Sequence, residues 1–170
     1  MAITKIQSES LNLADDFAFT GTITGAGESN TPFFFSYALS SSQVLTNQTF
    51  TTLTNWNTPT KSSQGTFSNG IYTPGIAGKY LFYTMVDIGN MADADRCFCK
   101  IEASEDGSSW SIKGAAGKDM CSSANADIAT QTSVIIDCTA NTQIRVQGYQ
   151  EYGADRNHQG GHFCGFKILT

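Results

Sequence analysis

Two short apolar runs constrain the fold of this 170-residue chain more than any other feature: Gly78-Lys79-Tyr80-Leu81-Phe82-Tyr83-Thr84-Met85-Val86 and His162-Phe163-Cys164-Gly165-Phe166-Lys167-Ile168-Leu169-Thr170. Both are rich in aromatic and β-branched residues and are flanked by Gly, Asn and polar residues, the pattern of a strand buried on both faces. A strand covered on both sides needs two partners. One is the opposite sheet of a sandwich, and the other comes from outside the fold, most economically from identical copies of the chain. These runs therefore predict an oligomeric all-β protein before they predict any chemistry.

Length and charge narrow the class. A single β sandwich fills a chain of this size without a second core. Only 15% of residues are charged and 40% are hydrophobic, so Ser, Thr, Asn and Gly must make a surface that is polar but mostly uncharged. A net charge of −5 offers no basic stripe for a phosphate backbone, which argues against a nucleic-acid partner. No apolar run reaches the roughly 18–20 residues of a membrane-spanning helix, so membrane insertion is not expected. The opening residues, Met1 to Glu9, lack the apolar core of a secretory signal, and the expected site of synthesis and folding is a cytoplasm.

The cysteines agree with that compartment. There are five, Cys97, Cys99, Cys121, Cys138 and Cys164, an odd number without a CxxC spacing. Cys97 and Cys99 lie two apart on a predicted strand and share a face. Small buried thiols are the expected state, with a bridge from Cys97 or Cys99 to Cys121 as the alternative.

No helix of useful length is predicted. Residues 1–30 have weak periodicity through Leu11, Leu13, Phe17, Phe19 and Ile23 and close on Gly21, Gly25 and Gly27, which reads as an extended arm that gains order from neighbours. From residue 31 onward, short strands alternate with turns such as Pro74-Gly75 and Glu105-Asp106-Gly107. Eight to ten strands at this spacing predict a sandwich or jelly roll over residues 31–170.

The run Gly70-Ile71-Tyr72-Thr73-Pro74-Gly75-Ile76-Ala77-Gly78-Lys79-Tyr80-Leu81-Phe82 resembles the G-x-F-x-x-P-x-x-G-x-Y-x-F signature of the complement C-one-q/tumour-necrosis-factor superfamily. Phe163-Cys164-Gly165-Phe166-Lys167-Ile168-Leu169 is similar to that family's closing F-x-G-F-x-L strand. The resemblance implies a ten-stranded jelly roll assembled as a tight homotrimer. Successive strand side chains point to opposite faces, so Tyr80, Phe82 and Thr84 form one row and Leu81, Tyr83 and Met85 the other. By the resemblance, the first row faces the core and the second the threefold axis. The last strand divides into Cys164, Phe166 and Ile168 for the core and Phe163, Gly165, Lys167 and Leu169 for the interface. Lys167 fits that division poorly, because a lysine at a threefold axis needs a carboxylate, a hydrated cavity or a place at the rim. The alternative is a monomeric sandwich in which both rows are core.

The segment from Ile3 to Thr22 resembles the opening of fibre and appendage proteins from marine tailed bacteriophages, in which an N-terminal segment attaches to the virion and a trimeric knob projects outward. The implied partners are other virion proteins for the arm, further copies of the chain for the knob, and a host cell-surface receptor, with a glycan as candidate. The implied location is the virion, after folding in the host cytoplasm. The alternatives are a head fibre or capsid decoration trimer that binds no receptor, and an extracellular C-one-q-like recognition module.

Enzymatic signatures are lacking: no nucleophile elbow, no HExxH and no phosphate loop on a helix, so an enzyme is not expected. His158 and His162 sit in a segment expected to be a solvated loop. Three copies of one of them around an axis form a candidate metal site, and Asp93 with Asp95 a candidate calcium site. No cofactor is otherwise expected. Candidate surface contacts are Trp110, Arg96, Asp155, Arg156 and His158, on or near the segments 89–96, 114–127 and 152–162. Trp56 and Trp110 are candidates to stack on sugar rings, against the ordinary alternative that each belongs to the core.

Overall fold

The computed structural model describes residues 33–37, 41–57, 61–63, 65–115, 119–120 and 125–169. The expected arm, residues 1–30, and Cys121 lie outside the described residues. Thirteen strand segments follow one another: β1 Phe33–Tyr37, β2 Gln43–Leu45, β3 Thr51–Thr52, β4 Lys61–Ser63, β5 Thr66–Ser68, β6 Ile71–Thr73, β7 Gly78–Met91, β8 Arg96–Ser104, β9 Ser111–Ala115, β10 Asp119–Met120, β11 Ala126–Cys138, β12 Gln143–Gln150 and β13 Arg156–Leu169. No helix occurs among the described residues. Six segments have only two or three residues, and all of them but β5 pair with a longer strand.

The segments form two antiparallel sheets. One runs β11-β7-β13-β1-β4 with β2 beside β13, and the other runs β10-β8-β12-β6-β5 with β3 beside β12 and β9 beside β8. Neighbours distant in sequence, such as β1 with β13 and β8 with β12, give the crossing connections of a jelly roll.

Strict alternation places the core. Along β7, Tyr80, Phe82, Thr84, Val86 and Ile88 are buried, as expected for the first three. Cys97, Cys99 and Ile101 of β8 and Ile144 and Val146 of β12 face them from the other sheet. An aromatic cluster fills the centre. Phe34 lies 4.0 Å from Tyr72 in a stacked pair and 4.8 Å from Phe163 edge to face. Among the described residues, Cys97, Cys99 and Cys138 are buried thiols and Cys164 is a half-buried one.

On β13 the expected division is reversed. Phe163 and Gly165 are buried and Lys167 is only 7% exposed, whereas Phe166 is 46% exposed and Cys164 and Ile168 are half-buried. Phe163 and Gly165 therefore belong to the core, and Phe166 and Ile168 belong to the outer face. Leu169 shares the strand, but its side chain lies outside what is described. Gly165 is the physical cause: a Cβ there would sit 2.5 Å from the Phe82 ring and 2.8 Å from the Phe34 ring, so only glycine lets the cluster close at that point. With the parity reversed, the Lys167 stem lines the core near the end of the strand, the usual way a long amphipathic side chain is accommodated.

A bulge at Gln159 makes the strand's two halves compatible. His158 pairs with Ile88 and Gly160 with Asp87, so one extra residue intervenes and both His158 and Phe163 point inward. Gly161 beyond it has φ +121° and lies so close to the Met85 carbonyl that a side chain is excluded. The segment expected as a solvated loop up to residue 162 is thus strand from Arg156 onward. His158 is fully buried, so its expected role as a surface contact is corrected. Trp56 is also buried, its ring 5.1 Å from the His158 ring and 6.1 Å from Phe163, which removes it as a sugar platform.

Candidate functional site

Each sheet has an outer face, and the two differ in chemistry. On the six-stranded sheet, the register aligns Ile135 of β11 with Leu81 of β7, Leu81 with Phe166 of β13, and Phe166 with Phe33 of β1. These four apolar residues make one continuous row across four strands. Ile135, Phe166 and Phe33 are 59%, 46% and 38% exposed, and Leu81 is half-buried. Val44 and Ile112 are exposed too, but they stand apart from this row.

Polar groups rim the row. On one side Lys79 pairs with Asp137, one register step away. On the other, Tyr83 and Cys164 lead to Met85, His162 and Gln131, with the Tyr83 hydroxyl donating to Gln131 Oε1 at 2.5 Å. Farther along, burial and the nearby Asp127 carboxylate raise the pKa of Asp87. Leu81, Tyr83 and Met85, the expected interface residues of β7, all lie on this face. Phe163 and Gly165 do not.

The outer face of the seven-stranded sheet is laced by charge and aromatic rings. Lys100 of β8 and Arg145 of β12 both reach Glu102, each with a nitrogen 2.7 Å from its carboxylate. Arg145 also lies over the Trp110 ring at 4.0 Å, and Lys100 over the Phe50 ring at 4.1 Å. Phe50 packs on Tyr149 at 4.8 Å, and Phe98 meets Tyr149 edge to face at 5.3 Å. The Tyr149 hydroxyl donates to Glu151 Oε1 at 3.2 Å, and Arg96 pairs with the other oxygen of the same carboxylate. Phe50, Phe98, Tyr149 and Glu151 line a depression of about 230 Å³.

Two expected contacts, Trp110 and Arg96, thus stand on this face, the first under Arg145 and the second against Glu151. Asp155 and Arg156 are elsewhere, the first in the turn before β13 and the second opening that strand. Asp155 accepts from the Asn47 backbone N–H at 3.1 Å, and the Arg156 guanidinium stacks over Tyr152. Phe50, Phe98 and Tyr149 were not expected from sequence.

Glu102 is the electrostatic centre of the lacing. Burial raises its carboxyl pKa, and hydrogen bonds and charge from Lys100 and Arg145 more than reverse this, leaving it below its ordinary value. A carboxyl lowered in the folded state contributes stability above its unfolded value near 4.5, and that contribution is lost as pH falls through the folded value. Glu102→Gln is expected to cost about 1–3 kcal/mol at pH 7, between the values for exposed and fully buried pairs. The deficit should shrink on acidification below pH 4.5, which urea melts at pH 7 and pH 4 will show.

The expected metal ligands are not brought together. Asp95 Oδ2 accepts from the Ala92 N–H at 3.0 Å and closes a turn, while Asp93 is exposed. His158 is inside and His162 is on the outer face, so the two do not converge. Among the described residues, no group of three His, Cys, Asp or Glu side chains is arranged to hold a metal ion. A second shallow cavity, about 240 Å³, borders the turn at 104–109. There the backbone N–H groups of Ser109 and Ser108 donate to Asp106 Oδ1 and hold its carboxyl well below the ordinary range, an arrangement that satisfies the turn itself.

No protein-family model matches the sequence, and no curated protein matches it either. Solved structures do match. The Eiger TNF of S. frugiperda superposes with a TM-score of 0.61 at 12% identity, covering 81% of this chain and 94% of that one. The globular domain of zebrafish complement 1qA protein gives 0.59 at 12% identity, covering 82% and 98%. Murine APRIL crystallised at pH 5.0 gives 0.57 at 12% identity, covering 82% and 100%. Likeness at such identity establishes the fold: an all-β jelly roll of the tumour-necrosis-factor/C-one-q type.

Proposed function

We propose that the chain forms a homotrimer through the outer face of its six-stranded sheet and serves as a fibre or appendage protein of a tailed-bacteriophage virion. The trimer presents its seven-stranded sheet and loops to a receptor on the host cell. The observation that carries the assembly is the apolar row Ile135–Leu81–Phe166–Phe33, which crosses the sheet where a monomer gains nothing from it. Closed cyclic assembly is the common way for identical copies to cover such a patch. The fold likeness supports a recognition module, and the resemblance of residues 3–22 to phage appendages supports the virion and an attachment role for residues 1–30. Receptor binding would then be multivalent: three identical surfaces gain effective concentration on a repetitive cell surface.

Light scattering on the full chain, and on one lacking residues 1–30, tests the assembly. The expected mass is that of three 18.3 kDa chains for the full chain, and three times the smaller mass of the shortened chain for the other. Leu81→Asp with Phe166→Asp places six carboxylates at the shared face and should give a single-chain mass with the β signal in circular dichroism intact. A monomeric parent chain would overturn the trimer. Saturable binding of the trimer to host cells separates an adhesin from a head fibre or decoration protein, which should show none.

A further inference from the structure

We propose that the depression between Phe50, Phe98, Tyr149 and Glu151 is a binding site for one pyranose ring of a cell-surface glycan. This inference rests on the reading of the chain as a receptor-binding trimer and gives that reading a place on the molecule. Three aromatic rings from separate segments, β8, β12 and the residue before β3, converge on a face that packs against neither the core nor the apolar row. Phe50 is 42% exposed although it is a phenylalanine in van der Waals contact with Tyr149.

The walls match a sugar on both of its surfaces. The C–H face of a pyranose carries slight positive charge and stacks on the electron-rich face of an aromatic ring. The sugar's edge presents hydroxyls that donate and accept together. Glu151 supplies an acceptor beside the Arg96 donors, and the Tyr149 hydroxyl adds a group that does both. An apolar peptide side chain would strip water from Glu151 and Arg96 and return no hydrogen bonds. A phosphate would meet the Glu151 carboxylate and a chain of net charge −5. The cavity, about 230 Å³, lies below the roughly 300 Å³ where drug-sized pockets begin, and so suits one ring with the rest of the glycan in solvent. The site is also preorganised: Lys100 over Phe50, and Glu151 between Tyr149 and Arg96, fix the side chains before a ligand arrives.

The test uses the full chain and the methyl glycosides of glucose, galactose, mannose and N-acetylglucosamine, followed by saturation-transfer difference NMR. At least one glycoside should receive saturation through its C–H face. Phe50→Ala and Tyr149→Ala should each weaken that binding about fivefold or more, and Glu151→Gln should do so with the rings intact. Val44→Ala, exposed on the other sheet and apart from the apolar row, should leave it unchanged. Phe50 is half exposed, so its loss should leave the melting temperature near the parent value and keep the comparison interpretable. Absence of transfer with all four glycosides, or transfer that survives both Phe50→Ala and Tyr149→Ala, overturns the site. A trimer that binds cells and keeps that binding in the Phe50→Ala variant overturns this inference alone, whereas a monomeric parent chain overturns the reading on which it rests.

Discussion

Phe163→Ala should destabilise the chain by about 3–5 kcal/mol, the cost of removing a fully buried aromatic side chain. The corresponding fall in melting temperature is on the order of 10 °C for a domain of this size. Phe166→Ala, three residues further on, should cost the folded chain less than about 1 kcal/mol. The contrast follows from the surroundings. Phe163 is fully buried among Phe34, Trp56, Phe67 and Phe82, at ring distances of 4.8 to 6.3 Å. Phe166 stands on the opposite face, so its truncation should be read in the mass of the assembly. Folding and assembly are separated by placing both changes in the Leu81→Asp background and following urea melts. Equal losses, or the larger loss at Phe166, would mean that the side-chain parity of β13 is wrong and that the proposed shared face is misplaced with it.

The two long runs were not equally legible for a physical reason. In β7 both rows carry large side chains, so alternation alone does not choose between them, and the resemblance of Gly78-Lys79-Tyr80-Leu81-Phe82 to a family signature supplies the inward row. β13 places aromatics at 163 and 166, an odd spacing, so alternation alone puts one of them on each face without saying which. The deciding term is the empty space at Gly165, which belongs to the packing of Phe34 and Phe82 from two other strands and leaves no mark on local sequence. Lys167 was the available warning, since it fits the expected interface poorly, and with the parity reversed its stem lines the core near the end of the strand. The aromatic depression was invisible for a related reason. Phe98 and Tyr149 each occupy the outward position of a strand whose neighbours are buried, and only the pairing of β8 with β12 sets them opposite one another. Their exclusion from the core parity, beside Cys97 and Cys99 and beside Gly148 and Gln150, was the available signal. Tryptophan content drew attention instead to Trp56, which the bulge at Gln159 turns into a core neighbour of His158.

That neighbour makes the sandwich acid-sensitive. His158 is fully buried, with Nδ1 2.8 Å from the Asn55 side-chain oxygen and its ring edge-on to Trp56. Burial disfavours the charged imidazole and lowers the pKa to about 4 from an ordinary 6.5, against a smaller opposing effect of the Gly160 backbone. Between those values the unfolded chain binds the proton and the folded chain does not, so stability rises with pH across this window. The contribution is complete above pH 6.5, falls as the pH drops, and is fully lost below pH 4. It amounts to roughly 3 kcal/mol in all and about 2 kcal/mol by pH 5. His158→Gln should be less stable than the parent chain at pH 7.5, because the Trp56 and Asn55 contacts are disturbed, yet it should lose less on acidification. His162 and Glu102 are present in both chains and cancel from the difference. Denaturant melts of the two at pH 7.5 and pH 5, in the background carrying both Leu81→Asp and Phe166→Asp, will give converging stabilities if the buried histidine carries the acid sensitivity. Parallel curves would place it elsewhere and would mean that His158 accepts a proton without leaving the core.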